Sequence, residues 1–311
     1  MTTVVNLIAQ WKTVATGIRN GEVVGLVPTM GALHEGHGAL LDEARRRCSV
    51  VVASVFVNPI QFDQKSDYYI YPRVLEDDVA FWTARGVDYI FAPPDDEMYP
   101  EPQRVFVEVE EHSEHLCGRN RPGHFRGVAT VVLKLFQLLQ PDLAFFGEKD
   151  YQQLAVVRRI VRNLNVPLEV IGVPTVRESD GLAMSSRNRR LTLRERSVAP
   201  CLYKVLLAAQ RLIACGERNA AAIQEQATQI LHNVPGVRLE YFDLVDPDTI
   251  RPVDVVRAPV RAALAIWIGK IRLIDNMLCE LPAVRIEQHK NHSNSPSAQQ
   301  KLSDPSLPRC R

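Results

Sequence analysis

Apolar runs too short for helices alternate, through the first half of this chain, with stretches of helical spacing, and that alternation constrains the fold more than any other feature. Val23 to Val27 and Val50 to Val57 bracket a segment from about His37 to Arg47, in which Leu40, Leu41 and Ala44 share one helical face. That is a β-α-β unit. Val87 to Ala92 follows the helical-looking Glu76 to Arg85, and Leu143 to Gly147 follows Val128 to Leu139. Strands joined through helices run parallel, because a tight turn returns the chain antiparallel. The expected class is therefore α/β, built on a parallel sheet.

Near Val166 to Val176, apolar residues between Pro167 and Pro174 read as one more strand and then a change of region, which places a boundary near residue 175. Beyond it, Ala199 to Cys215 and Ala220 to His232 read as helices, and Arg238 to Val245 and Ala262 to Ile268 as strands. Residues 176–280 are expected to form a second, smaller α+β domain. A chain of 311 residues has room for both. From about Pro282 large apolar residues nearly vanish among Ser, Asn, Gln, Pro and Lys, so residues 281–311 are expected to be a disordered tail.

Charge excludes some partners. The 37 basic and 36 acidic residues leave a net charge of +1, too little to draw in nucleic acid or an anionic membrane. Lys290, Lys301, Arg309 and Arg311 of the tail lack aromatic stacking partners. The apolar stretches are interrupted well before about 18 residues, so no membrane span is expected. The six cysteines (Cys48, Cys117, Cys201, Cys215, Cys279, Cys310) contain no C-x-x-C pair, and no secretory signal opens the chain. Free thiols in a reducing cytoplasm are expected.

The sharpest motif is Pro28-Thr29-Met30-Gly31-Ala32-Leu33-His34-Glu35-Gly36-His37, which leaves the first expected strand and enters the first expected helix. The carboxyl end of a parallel strand opens into a crevice, where helix N–H groups and aligned peptide dipoles favour an anion. Gly31 and Gly36 clear room for close approach, while His34 and His37, three apart, fall on one side of the first turn. Both imidazoles can then face one phosphate chain; helix-capping or core histidines are the plain alternative, and a zinc site lacks a nearby third ligand. A second segment, Met184-Ser185-Ser186-Arg187-Asn188, offers two hydroxyls and a guanidinium to a polyphosphate, or is simply a surface turn. Lys149 stands between Glu148 and Asp150 after an apolar strand, either as a phosphate ligand or as a surface ion pair.

Together the two segments resemble the HxGH and KMSKS-type signatures of the nucleotidyltransferase superfamily. Residues 1 to about 280 are similar, more specifically, to the pantothenate synthetase family. The resemblance runs through Asn58-Pro59-Ile60-Gln61-Phe62, Arg121-Pro122-Gly123-His124-Phe125-Arg126-Gly127-Val128, Phe146 to Gln153 and Asp180 to Asn188. It implies a Rossmann-like first domain, with the second domain as a lid. It also implies ATP-dependent condensation of (R)-pantoate with β-alanine to pantothenate, AMP and pyrophosphate through pantoyl adenylate. ATP enters with Mg2+, no cofactor is tightly bound, no metal is held by protein side chains, and the chain forms a homodimer.

On that resemblance Met30, Gly31, Ala32, Leu33, His34, Glu35, Gly36 and His37 are expected at ATP, as are Gly147, Glu148, Lys149, Asp150, Val176, Met184, Ser185, Ser186 and Arg187. His34, His37, Lys149 and Arg187 are the expected catalytic groups. Gln61 and Gln153 carry over as pantoate ligands, and Gln61 also borders the β-alanine site, together with Asn58. Val128, Val131, Val132 and Leu135 form an i, i+3, i+4, i+7 stripe, read as helix core with one edge towards pantoate's geminal methyls. Two other readings stay open. A nucleotidylyltransferase acting on a phosphorylated small molecule needs a cationic substrate pocket. A tRNA-binding protein draws on the cluster Arg187, Arg189, Arg190, Arg194 and Arg196, against the near-neutral net charge.

Overall fold

The computed structural model describes residues 2–18, 21–63 and 65–282, so the expected tail beyond Pro282 lies outside the described residues. The first unit runs β1 (Thr3–Val5), α1 (Ile8–Ile18), β2 (Val24–Thr29), α2 (Glu35–Arg47), β3 (Val50–Val55), α3 (Lys65–Ile70), α4 (Leu75–Ala84), β4 (Tyr89–Phe91), α5 (Asp95–Met98), α6 (Leu116–Asn120), α7 (His124–Leu139), β5 (Leu143–Gly147), α8 (Tyr151–Asn163) and β6 (Glu169–Val173). Its six strands make one parallel sheet in the order β1-β4-β3-β2-β5-β6. From β2 the chain steps outward through β3 and β4, then crosses back to place β5 and β6 on the other side. The order reverses between β2 and β5, and this switch point is where an open parallel sheet leaves a crevice at its carboxyl edge.

Helices cover both faces of the sheet. On one, the apolar stripe of α7 packs Val128, Val132, Leu135 and Phe136 against Leu26, Val52 and Phe146; on the other, Leu40, Leu41 and Ala44 of α2 meet Val27, Val51 and Phe145. Each large side chain taken fully from water contributes about 1.5 to 3 kcal/mol, so these two stripes hold the switch point in place.

The second unit contains α9 (Leu193–Val198), α10 (Cys201–Ala214), α11 (Ala220–His232) and the antiparallel sheet β7 (Val237–Val245), β8 (Val260–Ile268), β9 (Ile271–Cys279). Strand alternation makes this sheet two-faced. Leu264 and Ile266 pack with Val205, Leu206, Ile213 and Ile223 of α10 and α11. Ala263 and Ala265 pack with Ala129 of α7 and with Ala155, Val156 and Ile160 of α8. The sheet is thus buried between its own helices and the first unit.

Several expectations shift. Strand β2 continues through Pro28 to Thr29, although Pro28 reads as punctuation because it has no N–H to donate. The sequence does not mark β1, α1, α8 or β9; β1 has only three residues, and the Asp275-Asn276 pair interrupts the apolar alternation of β9. The stretch Leu193–Ala214 does meet the length and apolarity of a membrane-crossing helix, against expectation. Its Val205, Leu206, Ala209 and Ile213 are nevertheless buried in the second core, the state of a core helix. Cys48, Cys117, Cys201 and Cys279 are free thiols, as expected for those four.

Candidate active site

Strands β2 and β5 end side by side across the switch point, so the turns that follow them face one crevice. A cavity of about 250 Å3 fills it. His34, His37, Lys149, Ser185, Ser186 and Arg187 all line this cavity, although more than 150 residues of chain separate the first from the last.

The turn after β2 is held from a distance. Asp78 of α4, buried, accepts the N–H groups of Ala32 and Leu33 at 3.0 Å each. Burial pushes its carboxyl up, against the pull of those two donors. Gly31 (φ +79°) and Ala32 (φ +53°) take left-handed backbone, and a Cβ on Gly31 would stand 2.5 Å from Asp78 Oδ2. The Ala32 and Leu33 amides expected to meet phosphate are therefore spent on Asp78. In their place the turn presents its imidazoles. His34 is the N-cap of α2, and its Nδ1 accepts Gly36 N–H at 3.1 Å; His37 Nδ1 accepts His34 N–H at 3.2 Å. A neutral imidazole that accepts at Nδ1 carries its proton at Nε2. Both rings thus offer an Nε2–H donor. Burial, then Lys149, lowers His34 to about 4; burial, then His34, lowers His37 to about 3. They are neutral donors at pH 7, not cations.

The charges come from other elements. Lys149, on a 3-10 turn (Glu148–Asp150) after β5, has a side chain only 16% exposed and lies 3.8 Å from Asp150. The ion pair of the plain reading is present, but it lines the cavity together with the histidines. The Asp150 side chain is 51% exposed, but towards the cavity. Burial works to raise its carboxyl, while Lys149 and then Arg187 overcome that and hold it below the usual range. Arg187 arrives on a short hairpin in which Met184 N–H donates to Val176 O at 3.0 Å and Glu178 N–H to Leu182 O at 2.8 Å. Ser185 caps the following 3-10 turn by accepting Arg187 N–H. Arg189 Nη2 donates to Leu33 O at 2.8 Å and ties this turn to the histidine turn. The arginine cluster disperses: Arg196 pairs with Glu178 and Asp180, and Arg190 and Arg194 are exposed.

Uncharged side chains line the cavity as well. Gln61 and Gln153 line it, and so do Val128, Val131, Val132 and Leu135, which also belong to the core under the sheet. Gln61 is set by its neighbours. Asn58, 1% exposed, donates to Gln61 Oε1 (2.9 Å) and Gly127 O (3.2 Å) and accepts from Tyr99 Oη (2.7 Å), so both its amide hydrogens are engaged within the protein. A Cβ on Gly127 would fall 2.3 Å from Ile60 O, which is why α7 can approach the Pro59–Gln61 turn so closely. Tyr71, Arg121 and His124 are polar or charged lining residues to which the sequence assigns no role. His124, pushed down to about 3 by burial and by Arg121, contacts Gln61 O at 2.8 Å and Arg121 Nη1 at 3.0 Å. The Arg121 to Val128 string carries part of the family resemblance, but nothing in it says which side chain faces inward.

Among the described residues no group of three or more His, Cys, Asp or Glu side chains is placed to hold a metal. Residues 3–278 match the family model described as pantoate-beta-alanine ligase. The chain belongs to the pantoate-beta-alanine ligase family. A pantothenate synthetase of Moorella thermoacetica is 48% identical over 268 residues, covering 86% of this chain and 95% of that protein. A crystal structure of pantothenate synthetase from Thermus thermophilus superposes with a TM-score of 0.85 at 47% identity, over 90% of this chain and all of that one. A pantoate-beta-alanine ligase from Francisella tularensis, solved in complex with beta-gamma ATP and beta-alanine, gives a TM-score of 0.76 at 34% identity, over 89% of this chain and 98% of that one.

In this member of the ligase family Met30, Gly36, Gly147, Val176 and Met184 line the cavity with the groups already named. Gly31, Ala32, Leu33, Glu35 and Glu148 do not. Ala32 and Leu33 are buried behind it, Glu35 pairs with Arg85 at 2.6 Å, and Glu148 turns 3.6 Å from Arg261. Sequence adjacency places them in the motif, and chain direction turns them away.

Proposed function

We propose that this chain condenses (R)-pantoate with β-alanine at the expense of ATP, releasing AMP and pyrophosphate. The observation that carries the reading is the arrangement of one cavity: two neutral Nε2–H donors, the Lys149 ammonium and the Arg187 guanidinium beside the neutral amides of Gln61 and Gln153. An oxygen of the pantoate carboxylate attacks the α-phosphorus of ATP, and the bond to pyrophosphate breaks. Two anions repel as they approach, so the step needs cations and donors already in place. Lys149 and Arg187 supply charge, and each imidazole donor contributes about 3 kcal/mol where negative charge grows. The β-alanine amine, having lost a proton, then attacks the acyl carbon of pantoyl adenylate, and AMP leaves.

Gln61 and Gln153 orient pantoate by hydrogen bonds without adding a competing charge, and the Val128 to Leu135 wall takes its geminal methyls. Asn58 supports Gln61, which borders the β-alanine site. ATP enters as its magnesium complex, with Met30, His34, Gly36, His37, Gly147, Lys149, Asp150, Val176, Met184, Ser185, Ser186 and Arg187 around it. Incubation with ATP, pantoate and β-alanine is expected to release AMP and pyrophosphate only when pantoate is present. No pantoate-dependent turnover would reject the reading.

A nucleotidylyltransferase of a phosphorylated substrate remains the rival, because Arg121 adds a cation to the cavity. Asp63, 3.4 Å from Arg121, offsets that charge. Thermal-shift comparison of pantoate with phosphorylated metabolites separates the two: stabilisation by the phosphorylated compounds alone would favour the rival.

The division into residues 1–175 and 176–280, with the second unit closing as a lid, belongs to the same proposal. The apolar contact of β8 with α7 and α8 limits that closure to a small movement. An unchanged scattering envelope on adding an ATP analogue would reject closure. A homodimer rests on the family resemblance, and sedimentation at the mass of one chain would reject it. The cytoplasm, where ATP is supplied, is the proposed compartment.

A further inference from the structure

The polar interruption of β9 faces both halves of the cationic cradle. Asp275 and Asn276 are consecutive, so their side chains leave the strand on opposite faces. Asn276 pairs with Ala263, which packs on the first unit, and Asp275 pairs with Leu264, which packs on α10 and α11. From the first face Asn276 Nδ2 donates to Glu148 O at 2.9 Å and Lys149 O at 2.8 Å. From the other, Asp275 accepts two bonds from Arg177, at 2.6 and 3.0 Å, and Arg177 also donates to Gly181 O at 3.0 Å, inside the hairpin that leads to Ser185 and Arg187.

We propose that Asn276 is a positioning residue for Lys149, and that with Asp275 it fixes the separation between Lys149 and the Ser185–Arg187 turn. The Lys149 turn has no regular ladder to hold it. It lies between the end of β5 and the start of α8, and its peptide planes set the direction in which the Lys149 side chain leaves the backbone. One planar amide bonded to two successive carbonyls fixes both planes together. Asn276 is itself fixed: Arg261 Nη1 donates to its Oδ1 at 3.0 Å, its own N–H donates to Asp275 Oδ1 at 2.8 Å, and the Arg261 guanidinium lies 3.7 Å from the centre of the Tyr151 ring. The site is therefore pre-organised by a strand of the second unit, which gives β9 a task in the reaction without requiring it to touch substrate.

The proposal rests on the role assigned to Lys149 above, and a double-mutant cycle tests it. Asn276→Asp keeps the acceptor for Arg261 but turns an anionic oxygen towards two carbonyls. It is expected to lower kcat for pantoate-dependent pyrophosphate release by about 10- to 100-fold, since displacement of a positioned group by about 1 Å costs that much. KM for pantoate should change little. Lys149→Ala is measured beside it, and the double variant is expected to be no slower than Lys149→Ala alone. Losses that multiply, or an unchanged kcat in Asn276→Asp, overturn the proposal. Asn276→Ser, which keeps one donor, carries the same comparison if the aspartate variant does not fold. Parent protein without pantoate-dependent turnover would instead reject the functional reading, so the two failures are distinguishable.

Discussion

His34 and His37 cap one another's turn: His34 Nδ1 takes Gly36 N–H, His37 Nδ1 takes the N–H of His34 itself, and the two ring centres stand 4.1 Å apart. The mutual capping fixes both tautomers before any ligand arrives. A motif that looks like two bases is, by its hydrogen bonds, a pair of oriented donors.

The two jobs of His37 are separable. Asn at this position keeps an oxygen near the place of Nδ1 but offers nothing near Nε2, whereas Gln carries an amide donor towards Nε2. His37→Asn is expected to keep a thermal midpoint close to that of the parent while adenylate formation, read as pantoate-dependent ATP–pyrophosphate exchange, slows by about a hundredfold. His37→Gln should retain more activity. Parental exchange rates in His37→Asn would remove the donor role.

Acidity should act late on the rate and early on stability. With His34 held at about 4 and His37 at about 3, against an ordinary 6.5, the exchange rate is not expected to titrate near 6.5. An acid limb centred there would contradict the neutral pair. In the unfolded chain these rings regain their ordinary affinity for protons, as does His124, held at about 3 when folded. The unfolded state therefore binds more protons as the pH falls. Stability from these groups is complete above 6.5 and is lost progressively towards the folded values. Urea midpoints at about pH 7.5 and about pH 5 check the sign, and a midpoint that rises on acidification would reverse it.

The two cations should fail differently. Lys149→Ala removes the charge, and an adenylation rate lower by about a hundredfold is expected. Arg187→Lys keeps a charge but loses the planar fork, and a loss of about tenfold in kcat/KM for ATP is expected. Steady-state kinetics distinguish them; an Arg187→Lys enzyme as fast as the parent would show that the fork is not used.

Gly127→Ala tests the support beneath Gln61. The new methyl meets Ile60 O at 2.3 Å and Gln61 Cα at 2.6 Å, both backbone atoms, so the Pro59–Gln61 turn has to move. A loss of about 1 to 3 kcal/mol in urea unfolding is expected, with KM for pantoate rising more than KM for ATP. An unchanged KM for pantoate would argue against the place given to Gln61.

How much of this is legible in the sequence differs by feature. The β-α-β start is readable because the spacing of Leu40, Leu41 and Ala44 differs in period from the continuous apolar runs beside it, and α11 falls at Ala220–His232, the range its spacing marks. The string around His34 is readable as a phosphate site from its own residues, whereas the strings around Lys149 and Arg187 leave that reading open until the family resemblance is added. β9 is hidden because the residues that give it a purpose, Asp275 and Asn276, break its pattern. Arg121 and His124 lie in a string that carries the resemblance, yet which side of α7 meets the cavity depends on how closely Gly127 lets that helix approach Gln61.

Residue type and local period, written in the chain itself, determined the alternation of β2, α2, β3, α7 and β5 and the strings in which the cavity's histidines, Lys149 and Arg187 stand. Folding alone decided the rest: Asp78 takes the amides that the motif seemed to offer, two imidazoles settle as neutral donors, and Asn276 reaches back to the Lys149 turn. The Asp78 and Asn276 contacts join residues distant in sequence, and the histidines, though three apart, are neutral because distant elements bury them; such desolvation and hydrogen-bond direction exist only once the partners have been brought together.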